Sequence, residues 1–162
     1  MTANLPYSLE AAADLAQRAR AENRRIVFTN GVYDLLHPGH VRYLSAAASL
    51  GDVLIVGVNS DRSARQNKGP ARPIVPAAER AELIAALDVV DGVVIFDEDT
   101  PYDVIGQLGP DVLVKGADWP ADQIVGRDVV EANGGSVVRI PVETGHSTSA
   151  LIDRVLSGSS SS

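Results

Sequence analysis

Two histidines three residues apart, His37 and His40, bracket a Pro-Gly pair in the segment NGVYDLLHPGH, residues 30–40. Proline is favoured at the first position of a helix, so a helix is expected to begin at Pro38. At that spacing the two imidazoles share one face of its first turn. A helix N-terminus already attracts anions through its free N–H groups and its dipole. Two imidazoles added to it make a site for a polyphosphate. A lone histidine is more often a cap or a satisfied surface group. This chain has three histidines, and two of them sit in this one turn, which tips the reading toward a site.

The net charge is -7, which argues against a nucleic-acid partner, since such a partner calls for a basic face. The cations for a phosphate ligand must then be placed locally. Of the 14 basic residues only Lys68 and Lys115 are lysines, and each directly precedes a glycine. With no cysteine, disulfides, thiolate metal sites and a cysteine nucleophile are excluded. The composition, 45% hydrophobic and 22% charged, is that of a globular chain rather than a disordered one. The N-terminal stretch lacks the basic start and continuous apolar core of a secretory signal. No apolar run reaches the ~20 residues of a membrane span. A cytoplasmic protein with no membrane partner is expected.

The elements that must position these groups alternate. Five short β-branched runs, Ile26–Thr29, Val53–Val58, Gly92–Phe96, Val112–Val114 and Val137–Ile140, are continuously apolar, as strands covered on both faces are. Helical patterns lie near Ser8–Glu22 and over Pro38–Leu50, Pro76–Leu87, Pro101–Leu108, Ala121–Asn133 and Ser147–Leu156. Leu83, Ile84 and Leu87 are expected on one buried face of the third of these. The alternation predicts an α/β fold: a single-domain, Rossmann-like, doubly wound sheet of about five parallel strands flanked by helices. Residues 1–24 would form an N-terminal helix and residues 25–156 the main domain. Residues 157–162, SGSSSS, would be a disordered tail. Arg62–Val75 reads as a long surface loop, a common place for function.

Ligands of such sheets bind outside the carboxyl ends of the strands. The first strand ends at Asn30-Gly31, where glycine lets backbone approach a phosphate. The fourth ends at Lys115-Gly116. Both ends therefore belong to the expected binding edge. Lys68 is either a phosphate ligand or an ordinary loop lysine. Asp118 and Trp119 are either substrate contacts or loop anchors. Asp34 reads as a turn or cap residue rather than a metal ligand. Ser147, Thr148 and Ser149 suit a helix N-cap, and a cap and a phosphate site use the same geometry. Arg80 read alone is a solvated helix charge. No acidic cluster suggests a dedicated metal site. The absence of G-x-G-x-x-G after the first strand excludes a dinucleotide-binding domain.

The motif His37-Pro38-Gly39-His40 after a buried strand resembles the HxGH signature of the cytidylyltransferase-like nucleotidyltransferase superfamily. The segments VNSDRSARQNKGPARPIVPAAERAELIAAL, VLVKGADW, IVGRDVVEANGGSVVRIP and GHSTSALIDR resemble one branch of it. That branch is the D-glycero-β-D-manno-heptose 1-phosphate adenylyltransferases, alone or as the second domain of bifunctional heptose kinase/adenylyltransferases. The resemblance covers roughly Arg25 to Leu156. It implies that Val32 and Tyr33 contact nucleotide by their backbone, and that His37 and His40 contact the triphosphate and stabilise the transition state. It also implies that Lys68 reaches the phosphates, that Arg80 is associated with the active site, and that Ser147–Ser149 bind phosphate.

The implied reaction joins the AMP moiety of ATP, accompanied by Mg²⁺, to a heptose 1-phosphate, giving ADP-heptose for lipopolysaccharide inner-core synthesis. A homodimer is carried over from the branch. Two features depart from the pattern. Val142 stands where some relatives carry an arginine, which Arg127 or Arg139 would have to replace. His146 stands where cytidylyltransferases carry isoleucine, which favours the heptose branch. The rival readings are a cytidylyltransferase for a polyol phosphate such as glycerol 3-phosphate, and a non-catalytic nucleotide-binding module.

Overall fold

The five apolar runs form five parallel strands: β1 Ile26–Gly31, β2 Val53–Asn59, β3 Gly92–Phe96, β4 Val112–Gly116 and β5 Ser136–Ile140. Strands β1, β2 and β4 are buried along most of their length, whereas the edge strand β5 is at most half-buried. The computed structural model describes residues 7–141 and 146–160. The sheet order is β3-β2-β1-β4-β5. Its helices are α1 Leu9–Ala21, α2 Pro38–Ala48, α3 Asp61–Lys68, α4 Ala77–Ala85, α5 Tyr102–Leu108, α6 Arg127–Ala132 and α7 Thr148–Ser160.

Successive side chains along each strand feed opposite faces. Ile26 and Phe28 join a core with Ala12, Ala16, Ile105, Leu108 and Val130, contributed by α1, α5 and α6. Val27 joins the other core with Leu44, Ala81 and Ile84, contributed by α2 and α4. The N-terminal helix is thus part of the domain's main core.

The strand order places the switch point between β1 and β4. β1 and β2 stay paired from Ile26↔Val53 to Gly31↔Val58. β1 and β4 share only Val27↔Val112 and Phe28↔Leu113. Beyond them the Thr29 hydroxyl donates to the Val114 carbonyl at 3.0 Å and pairs with the Tyr43 hydroxyl at 2.8 Å. A side chain here takes over from the ladder, and a crevice opens at the carboxyl ends. At the opposite edge, Asp52, Asp111 and Asp91 accept from the backbone N–H groups of Arg25, Ile26 and Leu54. Part of the chain's acidic excess is therefore used away from the crevice.

Four expectations need correction. The loop expected over Arg62–Val75 begins as α3. The Ser60 hydroxyl caps it by accepting from Ser63 N at 3.1 Å. Asp61 lies in its first turn, and Arg65 and Lys68 in its last, as the helix dipole favours. The single helix expected over Ala121–Asn133 is a 3-10 turn, Ala121–Gln123, followed by α6; Gly126 at positive φ separates the two. On α4, Leu83 is 48% exposed and the buried stripe is Arg80, Ala81 and Ile84. An arginine occupies the position expected of a leucine. Finally, α7 continues through Ser160, into the serine stretch read as a tail. Once a helix is nucleated, each added residue costs little.

Candidate active site

The turn between β1 and α2 is held from below. Asp34 is buried, and its carboxylate accepts from Ile74 N and Val75 N, each at 2.9 Å, and from Arg72 Nε at 2.8 Å. Burial alone would oppose its ionisation. The two backbone donors and the guanidinium together outweigh that and hold the carboxyl below the usual carboxylate range. Asp34 is therefore the turn's anchor. Tyr33 adopts φ 52 and folds its ring back over Gly31, where an added Cβ would lie 3.0 Å from the ring. What forces glycine here is this aromatic cover.

Arg80 lies behind the same turn, fully buried. It donates to the Val32 carbonyl at 2.6 Å, the Val75 carbonyl at 2.8 Å and the Asp61 carboxylate at 2.9 Å. It is neither the solvated charge that α4 suggested nor a lining residue. Its three bonds join the turn, the segment before α4 and the start of α3.

His37 caps α2 with Pro38 following. The backbone N–H of His37 donates to His40 Nδ1 at 3.3 Å. The His40 proton is thereby placed on Nε2, so the ring presents a donor. The two rings stack at 3.8 Å with 24° between planes, and Tyr33 meets His40 edge-on at 5.3 Å. Burial, reinforced by His37, lowers His40 to about 4. Burial and then His146 also lower His37. Near pH 7 both imidazoles are neutral hydrogen-bonding groups. His37 Nδ1 and Asn30 Oδ1 are buried without a partner among the described residues.

The last turn closes the site from across the sheet. The Ser147 hydroxyl caps α7 by accepting from Ala150 N at 3.0 Å. The Thr148 hydroxyl donates to the Leu35 carbonyl at 3.3 Å. Two helix N-termini, those of α2 and α7, thus face one cavity of about 470 Å³. Every expected site residue except Arg80 lines it: Asn30–Tyr33, His37, Gly39, His40, Lys68, Lys115, Gly116, Asp118, Trp119 and Ser147–Ser149. Asp34, Arg42, Tyr43, Arg72 and His146 also line it and were not foreseen. Arg127 bonds the Ala121 carbonyl and Glu131, and Arg139 the Trp119 carbonyl. Neither lines the cavity, and Val142 lies outside the described residues.

A second cavity, about 290 Å³, adjoins the first and shares with it Asn30, Gly31, Val32, Lys68, Lys115 and Trp119. Asn59, Asn67, Asp99, Thr100 and Gln123 belong to it alone. The Lys115 ammonium lies 5.4 Å from the centre of the Trp119 ring. Burial lowers Lys115 to about 8; Lys68 pushes the same way, while Asp118 opposes. The only two lysines of the chain therefore converge where the cavities meet. Among the described residues no group of three or more His, Asp or Glu is placed to hold a metal ion, and no helix is long and apolar enough to cross a membrane.

The sequence profile of the family described as cytidylyltransferase-like matches residues 28–153. The bifunctional protein HldE of Citrifermentans bemidjiense is 51% identical over 150 residues, 93% of this chain and 31% of that protein. HldE of Rhodopseudomonas palustris is 54% identical over 141 residues, 87% of this chain and 29% of that protein. The chain thus spans about a third of the length of the curated relatives it matches. Among solved structures, the lipopolysaccharide core biosynthesis protein from Thermoplasma volcanium superposes with a TM-score of 0.62. It is 30% identical, and the match covers 74% of this chain and 97% of that one.

Proposed function

The chain belongs to the cytidylyltransferase-like family of nucleotidyltransferases, and on that premise we propose that it is an adenylyltransferase. It joins the AMP moiety of ATP to D-glycero-β-D-manno-heptose 1-phosphate and releases pyrophosphate and ADP-heptose. The observation that carries this reading is the pair of cavities meeting at Lys68 and Lys115. A reaction between two phosphate-bearing substrates needs two pockets whose phosphates meet beside shared cations. The first cavity, with its imidazoles and helix N-termini, takes the nucleotide. The second, with its amides, hydroxyl and carboxylate, suits a polyhydroxylated sugar phosphate.

The nucleophile needs no base. A phosphate monoester has a second pKa of ~6 and is mostly dianionic at neutral pH. One of its oxygens bonds to the α-phosphorus, the bond from that phosphorus to the bridging oxygen breaks, and pyrophosphate carries the electron pair away. The site's work is positioning and charge stabilisation. His37 and His40 donate to the α-phosphate and the departing pyrophosphate. Their lowered pKa values suit this, because a neutral imidazole donates without exchanging its proton. Lys68 and Lys115 offset charge between the substrates, and the Ser147–Ser149 turn binds phosphate by hydroxyl and N–H groups. Mg²⁺ would enter with the nucleotide, held by phosphate oxygens and water. The carboxylate closest to the histidine turn, Asp34, has its oxygens engaged by Arg72, Ile74 and Val75.

The heptose assignment is supported by the HldE relatives and by the solved neighbour from Thermoplasma volcanium, a lipopolysaccharide core biosynthesis protein. The test is pyrophosphate release across ATP, CTP and GTP, each paired with heptose 1-phosphate, glycerol 3-phosphate and other phosphomonoesters. Release is expected with ATP plus heptose 1-phosphate. Release only with CTP and a polyol phosphate would move the assignment to a cytidylyltransferase. Silence with every pair would leave a binding module.

A further inference from the structure

His146 stands outside the HxGH motif, yet it completes a row of imidazoles. The His37 ring stacks on His40 at 3.8 Å and has the His146 ring centre 6.3 Å away at 17°. Both neighbouring ring planes lie within 24° of the His37 plane, and all three histidines line the larger cavity. Its place is set by its surroundings. Thr148, two residues on, bonds the Leu35 carbonyl and so ties the start of α7 to the histidine turn. Gly39 provides the room: a Cβ there would fall 2.8 Å from the His37 ring and 3.0 Å from the His146 Cβ. Among the described residues neither ring nitrogen of His146 has a hydrogen-bond partner. A polar ring placed this specifically, beside a helix N-terminus and facing a phosphate cavity, has its hydrogen-bonding capacity in reserve.

We propose that His146 is a third phosphate-binding imidazole of this site, contacting the pyrophosphate end of the bound nucleoside triphosphate. This deepens the nucleotidyl-transfer reading and rests on it. His37 and His40 come from the N-terminus of α2; His146 comes from the turn before α7. The polyphosphate would then be gripped from two elements at once, with the α7 side taking the part that departs.

The test compares the full chain with His146→Phe, which keeps a flat ring but has no N–H, and His146→Gln, which keeps a donor on a side chain of similar reach. Steady-state constants for ATP and the sugar phosphate are measured, together with calorimetric binding of inorganic pyrophosphate. A hydrogen bond to a charged partner is worth enough for at least about a tenfold effect. His146→Phe is expected to raise the ATP KM and the pyrophosphate Kd by that factor. The sugar-phosphate KM stays within about twofold, and His146→Gln recovers most of the loss. Equal losses in both variants would assign His146 to packing, and normal pyrophosphate binding by His146→Phe would remove it from the site; either result overturns the proposal. Pyrophosphate binding is read without turnover. If the unaltered chain binds pyrophosphate but transfers nothing, the reaction assignment fails while His146 is still tested. If it does not bind pyrophosphate at all, both fail.

Discussion

The two cavities that meet at Lys68 and Lys115 are built from opposite kinds of material. The wall proposed for the nucleotide comes mainly from two short stretches, 30–43 and 146–149, and its framework is buried: Val32, Tyr33, Asp34 and Thr148 are all inside. The wall proposed for the acceptor is gathered from the ends of β2 and α3, the loop after β3 and the 3-10 turn after β4. Asn67, Asp99, Thr100 and Gln123 are exposed. Surface contacts hold this wall: Ser60 and Arg62 to Asp97, Arg62 to Asp99, and the Ser63 hydroxyl to the Glu98 carbonyl. Exposed ion pairs contribute little and are weakened by salt. Charge stabilisation requires donors fixed before the reaction, and burial supplies that. On the proposed reading, recognition of one sugar among many tolerates a wall whose residues are easily exchanged.

The largest effect should come from the rigid wall. His40→Ala removes a donor whose orientation is set by the His37 backbone. Loss of one preorganised donor costs about 2.7–4 kcal/mol of barrier. The kcat should therefore fall by at least about two decades whichever acceptor is supplied, with the fold intact by circular dichroism. Near-normal turnover in the folded variant would remove His40 from the chemistry. Arg80→Met comes next and acts on both walls. It strands the buried Val32 carbonyl, worth about 1–3 kcal/mol when left unpaired, and removes the part-buried bond to the Val75 carbonyl. A loss of about 3 kcal/mol in unfolding free energy is expected, read by urea denaturation. A variant as stable as the parent would show that these bonds are replaceable.

The same contrast decides what was legible in the sequence. Strands β1, β2 and β4 show as apolar runs because burial on both faces leaves no alternation to misread, and the edge strands β3 and β5 show by their β-branched residues. The nucleotide wall shows because His37, His40, Pro38 and the Ser147–Ser149 turn carry their geometry within a few residues. Arg72 was invisible because its partner, Asp34, is 38 positions away. Arg80 was misread because a charged residue in a helix normally faces water, and only three acceptors from separate segments make its burial tolerable. The acceptor cavity was legible only through the residues it shares with the first, such as Lys68, Lys115 and Trp119; Asn59, Asn67, Asp99, Thr100 and Gln123 are single residues scattered over separate segments and carried no signal. His146 did carry a signal, being the third of only three histidines and adjacent to the phosphate turn.

Lys115 sits on the border and yields a smaller, pH-dependent effect. With its folded value near 8, the free protein loses this charge as pH rises through 8. A bound polyphosphate favours the ammonium, so the complex retains the proton. The kcat/KM for ATP should then fall above pH 8, by at most tenfold per unit. Lys115→Arg keeps its charge throughout that range and should flatten the alkaline limb. An unchanged limb in Lys115→Arg would place the titrating group elsewhere.

The smallest effect belongs to the exposed wall and is the one that separates the two. Asn67 lines only the second cavity. One N–H of its amide donates to the Ser63 carbonyl at 2.9 Å, which leaves the second N–H and the amide oxygen for a ligand. Asn67→Ala removes one neutral hydrogen bond, worth about 0.5–1.5 kcal/mol, so the sugar-phosphate KM should rise by roughly twofold to tenfold. The ATP KM and the pyrophosphate Kd should not move, because no residue of the nucleotide wall leans on Asn67. A matched rise in both Michaelis constants would mean that the cavities act as one, and the division between a fixed chemical wall and an exchangeable recognition wall would have to be given up. A rise confined to the acceptor, set beside the collapse of kcat in His40→Ala, would assign rate to the buried wall and choice of sugar to the exposed one.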